Sequence, residues 1–283
     1  MAFLTASRFC VLGVVSLLVT TAAAWGLTPH RESLGLYAVF GKVLSTRIEP
    51  ASGRGRRYTY DVRVLGSVAV KRRLRGPLPR YTYDIRAIPH TLKTGNTVTI
   101  FGLRVIRRSW SVYTPIVKPG VYFVIMAGRQ PDGSFSHTYT DDGRMPLGID
   151  LPSPVAGGDV AKLQAAMLLY ARLAKVKGSI TSAEAHKLRK SKNYYLWALG
   201  TWALARHATR RQVGYWLAAL GRYSLPGFPA GPAKFSPRRA FWLVHCMRRV
   251  VPATARPSAT ELSAALTGYL RRLATPPVPG YTY

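Results

Sequence analysis

Carboxylates are the scarcest functional groups in this chain. Eleven Asp and Glu stand against 41 Lys and Arg in 283 residues, a formal net charge of +30. General acid–base catalysis draws mainly on His, Asp and Glu, so these acids and six histidines leave a short roll of catalytic candidates. Cysteine is nearly absent too: Cys10 lies in an amino-terminal apolar run and Cys246 is the other. That excludes a disulfide framework and any paired C-x-x-C site, and Cys246 reads as a small buried apolar residue. G-x-S-x-G, H-E-x-x-H and G-x-x-x-x-G-K are all missing, which removes the usual marks of serine hydrolases, zinc proteases and P-loop enzymes. Beyond the first 27 residues no stretch holds 18 uninterrupted apolar residues, so no further membrane span is expected.

What is present starts at the amino terminus. Arg8 precedes the apolar run Phe9 to Val19, and small residues follow, ending Ala22-Ala23-Ala24. A basic start, an apolar stretch and an A-x-A ending form a secretory signal over residues 1–24. The mature protein is expected to be secreted or held in the periplasm or cell envelope. Extended to Leu27, the same run is about 19 residues long, enough for an uncleaved membrane anchor as the alternative.

Export changes the meaning of the charge. In the cytoplasm such a surplus points to nucleic acid, which stays the partner only if the signal does not function. Outside it, the polyanions are membrane head groups and envelope or extracellular polymers. A coding bias toward Arg, which supplies 30 of the 41 cations, is the competing origin, although it does not explain the shortage of acids. Two basic runs are densest: Lys71-Arg-Arg-Leu-Arg75 and His186-Lys-Leu-Arg-Lys-Ser-Lys-Asn-Tyr-Tyr195. Lys71, Arg72, Arg73 and Arg75, with Lys187, Arg189, Lys190 and Lys192, are therefore the anion-binding candidates, because Arg forks onto paired oxygens. Solvated faces are the alternative for both runs.

Residues 36–144 read as a β-rich domain: from Leu36 to Tyr139 the hydrophobic period is two, predicting strands over Tyr37–Arg47, Arg57–Val64, Arg80–Ala87, Thr97–Ile106, Val121–Ala127 and Ser134–Tyr139. Asp132-Gly133 marks a hairpin turn between the last two. Arg57-Tyr-Thr-Tyr-Asp-Val-Arg63 recurs as Arg80-Tyr-Thr-Tyr-Asp-Ile-Arg86. Its alternation predicts half-buried strands, neighbours in one antiparallel sheet, or else a Tyr/Arg face for stacking on sugars or bases.

Tyr37-Ala-Val-Phe-Gly-Lys-Val-Leu44 and Lys118-Pro-Gly-Val-Tyr-Phe-Val-Ile125 resemble the opening and late strands of netrin-like domains of secreted proteins, relatives of the tissue inhibitors of metalloproteinases. The resemblance covers about 100 residues and implies an OB-type barrel. It does not carry over protease inhibition, which in that family needs a mature amino-terminal Cys where this chain would begin at Trp25.

Residues 145–158, with three Pro and three Gly, read as a linker. After it the period becomes helical: Val160 to about Gly178, Thr181-Ser-Ala-Glu184 to Lys192, Asn193 to His207, a helix opened by Thr209-Arg-Arg-Gln212, Ser236-Pro237 to Val251, and Ser258-Ala-Thr-Glu261 to Thr275. Six helices over 159–275 predict a bundle or short solenoid, and residues 276–283 form a tail. The fold class is α+β: a small antiparallel OB-like barrel, then an all-α domain.

Only one acidic cluster offers catalysis. His137, Asp141 and Asp142, with Asp132 and Asp150 nearby, carry a base and an orienting carboxylate; the rival explanation is turn chemistry. His245 and Cys246 are adjacent on a helix, so their side chains diverge by about 100° and do not pair. No cofactor and no metal-ligand spacing is expected. The primary reading is an exported, non-enzymatic binding or structural protein associated with anionic polymers or a membrane surface. The alternatives are a secreted hydrolase built on His137, Asp141 and Asp142, and a protein-interaction module in which Trp197, Trp202 or Trp216 forms an exposed patch for a protein partner.

Overall fold

The computed structural model describes residues 36–50, 55–75, 78–82, 92–106, 111–112, 117–130, 133–137, 144–177, 180–222 and 236–274. The signal segment 1–24 and the tail 276–283 lie outside them. Among the described residues ten strands come first: β1 (Leu36–Pro50), β2 (Gly55–Arg75), β3 (Leu78–Thr82), β4 (Thr97–Ile106), β5 (Ser111–Val112), β6 (Tyr122–Arg129), β7 (Phe135–His137), β8 (Arg144–Met145), β9 (Ile149–Asp150) and β10 (Ser153–Val155). Six α-helices follow: α1 (Val160–Lys177), α2 (Ser182–Arg189), α3 (Tyr194–Ala205), α4 (Arg210–Arg222), α5 (Pro237–His245) and α6 (Ala259–Ala274). Among the described residues no helix is long and apolar enough to cross a membrane.

Five strands close a barrel. β1 pairs antiparallel with β2 and with β6, β2 with β4, β4 runs parallel to β7, and β7 returns to β6. Numbered along the chain, the barrel strands therefore lie in the order 1-2-3-5-4, with the third and fifth parallel. Closure removes the unpaired edges that an open sheet would present. Tyr37, Val39, Tyr58, Tyr60, Val62, Ile100, Phe123, Ile125 and Phe135 fill the interior.

The other face of β1 and β6 is equally dry. Ala38, Phe40, Val124 and Met126, with Val68 of β2, pack against Leu163, Ala166, Met167 and Tyr170 of α1 and Leu188, Tyr195 and Leu199 of α2 and α3. Burial on both sides explains why Tyr37–Phe40 and Phe123–Ala127 are nearly continuous apolar runs where the remaining barrel strands alternate. Residues 145–158 are not a loose linker. Met145, Leu147, Ile149 and Leu151 are buried in this same core, and β10 pairs with β6 from Ser153↔Val124 to Val155↔Tyr122. Their strict alternation is a strand signal that the intervening Pro and Gly residues mask.

Two strand expectations change. β2 runs on to Arg75, eleven residues past the predicted end, because its distal part pairs with β3. The strands that carry the two Tyr-Thr-Tyr copies, β2 and β3, are antiparallel neighbours in one sheet as expected, but the copies are not in register with each other. The first lies between β1 and β4, with Tyr58 opposite Gly102 and Tyr60 opposite Ile100, while Arg80–Thr82 of the second pairs with Lys71–Arg73. Tyr58, Tyr60 and Val62 all point into the barrel, so this face is core and does not stack on sugars or bases.

The helices begin where their caps predict. Thr181 and Glu184 form a reciprocal capping box, Asn193 caps α3, Thr209 and Gln212 exchange bonds ahead of α4, and Ser258 and Glu261 do so ahead of α6. Each such cap stabilises its helix by roughly 1 kcal/mol. α5 ends as an α-helix at His245, and residues Cys246–Val250 continue as a π-turn closed by Val251 N–H donating to the Cys246 carbonyl (3.1 Å). A second core holds Trp197, Ala198, Val213, Leu220, Trp242, Leu243, Cys246, Met247, Leu262 and Tyr269. Helix α3 contributes to both cores, as a helix apolar on all sides must. It approaches α2 so closely that a Cβ at Gly200 would stand 2.6 Å from the Ala185 carbonyl oxygen and 2.9 Å from Leu188 Cβ.

Among the described residues one buried side-chain polar atom has no hydrogen-bond partner: the Tyr58 hydroxyl, inside the barrel. Tyr60, stacked beside it with ring centres 6.4 Å apart, is hydrogen-bonded with the Val117 backbone. An unpaired buried hydroxyl is unfavourable, whereas a paired one stabilises by about 1 kcal/mol. Tyr58→Phe should leave the denaturation midpoint unchanged or raise it, and Tyr60→Phe should lower stability by about 1 kcal/mol. Urea titrations of both variants check this, and a loss at Tyr58→Phe as large as that at Tyr60→Phe would contradict it.

Candidate functional site

Three helix starts meet beside the barrel. A 3₁₀ turn, Gly157–Asp159, leads into α1; Asn193 caps α3 by accepting the Tyr195 N–H (3.0 Å); Ser236 caps α5 by accepting the Arg239 N–H (3.3 Å), with Pro237 in the first turn. These caps set the positions of Asp159, Tyr195 and Arg238. The Tyr195 hydroxyl donates to Asp159 Oδ2 (3.1 Å) and accepts from Arg238 Nη2 (3.0 Å), while Arg238 Nη1 donates to the same Asp159 oxygen (3.0 Å). Lys162 Nζ stands 3.6 Å from Asp159 Oδ1. The Arg238 guanidinium lies 4.0 Å from the Tyr194 ring centre and 4.9 Å from that of Tyr195. Next to it, Arg239 donates to the Ser191 carbonyl (3.2 Å) and lies 5.1 Å from the Trp197 ring centre.

The Tyr194 hydroxyl donates to the Gly148 carbonyl (3.1 Å), joining α3 to the β8–β9 turn. Gly148 has φ +73°, and a Cβ there would lie 2.6 Å from that hydroxyl. Glycine is thus required both by conformation and by space. Between the turn, β10, α3 and α5 lies a cavity of about 180 Å³, walled by Gly148, Asp150, Pro154, Tyr194, Arg238 and Phe241, with Trp242 at its base.

The charges in this knot hold one another in place. Burial alone would raise the Asp159 pKa, but hydrogen bonds from Arg238 and Tyr195 outweigh it and keep the carboxyl below its ordinary value. Burial works against Arg238 as well, and its bonds with Tyr195 and Asp159 outweigh it, so its pKa is raised. Burial pushes Tyr194 up to about 12. The result is a fixed, fully charged guanidinium on a protonated aromatic floor, suited to orienting an oxygen-bearing ligand and not to shuttling protons.

The residues singled out in the sequence are dispersed. Lys71, Arg72, Arg73 and Arg75 occupy the distal part of β2, in the ribbon it forms with β3. In the register of that ribbon Arg73 pairs with Arg80, Lys71 with Thr82 and Arg75 with Leu78. Lys187, Lys190 and Lys192 are exposed, on and just after α2. Arg189 is partly buried: it lies 5.4 Å from the Trp216 ring centre, and burial lowers its pKa. The three tryptophans expected to form an exposed patch are packed, Trp197 buried and Trp202 and Trp216 half-buried against the cores.

His137 ends β7, opposite Ala127, and Asp132, Asp141 and Asp142 lie outside the described residues. Burial holds the His137 pKa at about 4, well below what a general base working near neutrality requires. Among the described residues no three His, Cys, Asp or Glu side chains are grouped as metal ligands would be. Asp159, Tyr195 and Arg238 were missed in the sequence. Their helix starts are legible, but nothing local says that three of them converge.

The shifts at His137 and Asp159 make stability pH-dependent with a defined sign. The folded state takes up a proton at His137 only near pH 4, while the unfolded chain does so near 6.5, so stability is full above 6.5 and falls as pH drops toward 4. Asp159, depressed by its partners, adds a loss at still lower pH, below its ordinary value of 3.8. Thermal melts between pH 7.5 and 3 should show Tm falling in both windows. His137→Asn should flatten the first and leave the second, and a Tm unchanged between pH 6.5 and 4.5 would contradict the assignment.

No family model, no curated protein and no solved structure matches this chain.

Proposed function

We propose that this is an exported, non-enzymatic protein that binds anionic envelope or extracellular polymers, or an anionic membrane surface, through its excess of cations. The observation that carries the reading is how the described carboxylates are used. Asp61 accepts from Ser45 (2.5 Å) and Thr99 (2.8 Å) and faces Arg47 (3.7 Å); Asp159 is held by Arg238, Tyr195 and Lys162; Glu184 and Glu261 serve helix caps, and Glu261 also pairs with Arg210. These four acids are engaged in tying strands and helix starts together, and Lys187, Lys190 and Lys192 remain exposed on and just after α2.

Lys71, Arg72, Arg73 and Arg75 of the ribbon make one contact surface; Lys187, Lys190 and Lys192 make the second, with Arg189 behind them as support. We read the barrel as OB-type, on the strength of its 1-2-3-5-4 order and its parallel third and fifth strands, and the helical half as a bundle around α3.

Each basic residue near an anionic surface contributes about 1 kcal/mol, and screening shortens its reach from about 8 Å at physiological ionic strength to about 3 Å at 1 M. The protein should sediment with anionic vesicles or bind a polygalacturonate column and elute with moderate salt. Combined Lys71→Ala, Arg73→Ala and Arg75→Ala should weaken retention by about two orders of magnitude. Retention indifferent to salt and to this triple variant would overturn the reading. Amino-terminal sequencing of the protein from cell fractions checks the export on which it rests.

A further inference from the structure

We propose, building on an anionic polymer as the partner, that the outer face of the barrel binds a linear acidic polysaccharide along a row of four cations: Lys93, Arg63, Lys42 and Lys118. None of the four belongs to the basic runs that stand out in the sequence.

Two matching turns build the ends of the row. Lys93-Thr-Gly-Asn96 and Lys118-Pro-Gly-Val121 each place Lys first and Gly third. Gly95 has φ +94° and Gly120 φ +87°, the sign that a type II turn requires at its third residue. In both, the N–H of the fourth residue donates to the Lys carbonyl (3.3 Å). The first turn is fastened to β2: Gly95 N–H donates to the Val64 carbonyl and Val64 N–H to the Asn96 carbonyl (both 2.8 Å). The second is fastened to β1 in the same way, Gly120 N–H donating to the Val43 carbonyl (2.7 Å) and Val43 N–H to the Val121 carbonyl (2.9 Å). Lys93 and Lys118 are exposed, one on each side of the β1–β2 pair.

The strands supply the middle. Lys42 of β1 and Arg63 of β2 are partners in register, so they stand side by side. They face outward, because Val43, Val62 and Val64 fill the barrel. Like charges directly opposite one another weaken a strand pair, so these two cations sit there at a cost to the sheet. On its other side Lys42 is paired with Tyr122, whose ring centre is 5.9 Å from the Lys42 ammonium. That half-buried ring adds an aromatic surface of the kind on which a sugar lies. The nearest carboxylate along this face of β2 is Asp61, and it is taken up by Ser45 (2.5 Å), Thr99 (2.8 Å) and Arg47 (3.7 Å). The row therefore keeps its positive sign.

Shape selects the partner. Crossing from β4 through β2 and β1 to β6 takes three strand spacings, so the row extends over about 15 Å. A linear chain with a carboxylate on each sugar can meet all four cations, whereas a single small anion meets one or two. The turn tips, Thr94, Gly95, Asn96, Pro119 and Gly120, hold no large apolar side chain to enter a bilayer, which favours a polymer over a membrane.

The test is calorimetric titration of the full chain with tetragalacturonate, with monomeric galacturonate and with phosphatidylglycerol vesicles. Expected is tetramer binding that weakens with salt, and at least tenfold weaker binding of the monomer. Combined Lys42→Gln and Arg63→Gln should weaken tetramer binding about tenfold or more with Tm unchanged or raised, since a like-charge pair is removed. Lys93→Gln with Lys118→Gln should weaken it to a similar degree, and this turn variant carries the result if the strand variant does not fold. The ribbon triple variant should bind the tetramer normally. Full tetramer affinity in the row variants, equal binding of monomer and tetramer, or a row variant that loses vesicles and keeps the tetramer would each overturn the proposal. Tetramer binding lost in the ribbon variant alone would overturn this surface and leave the anionic-polymer reading standing; absence of any salt-sensitive binding would overturn both.

Discussion

The two-sided burial of β1 and β6 is the constraint on which the rest of the molecule depends. Their inward side chains, Tyr37, Val39, Phe123 and Ile125, complete the barrel, and their outward ones, Ala38, Phe40, Val124 and Met126, form the floor on which α1 and the 145–155 segment rest. Fully burying a side chain of this kind stabilises by about 1.5–3 kcal/mol, so neither layer could detach without exposing several of them. A one-residue slip of β1 would exchange its two faces and misplace Phe40 relative to Met167 and Tyr170. The barrel and the first helices are thereby one packing unit, and the position of Gly148 and β10, hence of the cavity, follows from it.

The second constraint is electrostatic. Four of the described acids each tie together strands or helix starts. Asp61 ties β1 to β2 and β4 through Ser45 and Thr99, Asp159 joins three helix starts, and Glu184 and Glu261 close capping boxes. The formal surplus of positive charge is +30. Solubility and self-repulsion follow from that surplus whatever the partner, and so does the attraction to polyanions on which the proposed function rests.

Helix starts were the most legible part of the fold, because a cap is a local device: Thr181 with Glu184, Asn193 and Ser236-Pro237 need only their own backbone to act. The period-two half was legible in kind and less so in extent. The end of β2 was missed because Lys71–Arg75 carries no hydrophobic alternation and is held by pairing with β3, a partner that a single strand does not announce. The 145–158 segment was misread because turn residues dominate its composition, although Met145, Leu147, Ile149 and Leu151 alternate beneath them. Arg189 looked like one more cation in a basic run until Trp216, on another helix, was brought against it.

The candidate cavity shows where local reading stops. Arg238 was one of 30 arginines, and nothing in its neighbourhood along the chain distinguishes it from Arg239. Tertiary packing gives it Asp159 from 79 residues away and Tyr195 from 43. The sequence by itself determined the order of a β-rich and a helical half, the caps and the excess of positive charge, because composition, period and capping are short-range properties of the chain. Only the tertiary structure decided which tyrosines are core, which arginine is held at a cavity and how the acids are paired. Those outcomes depend on contacts between segments far apart in sequence, fixed by which faces must be buried together.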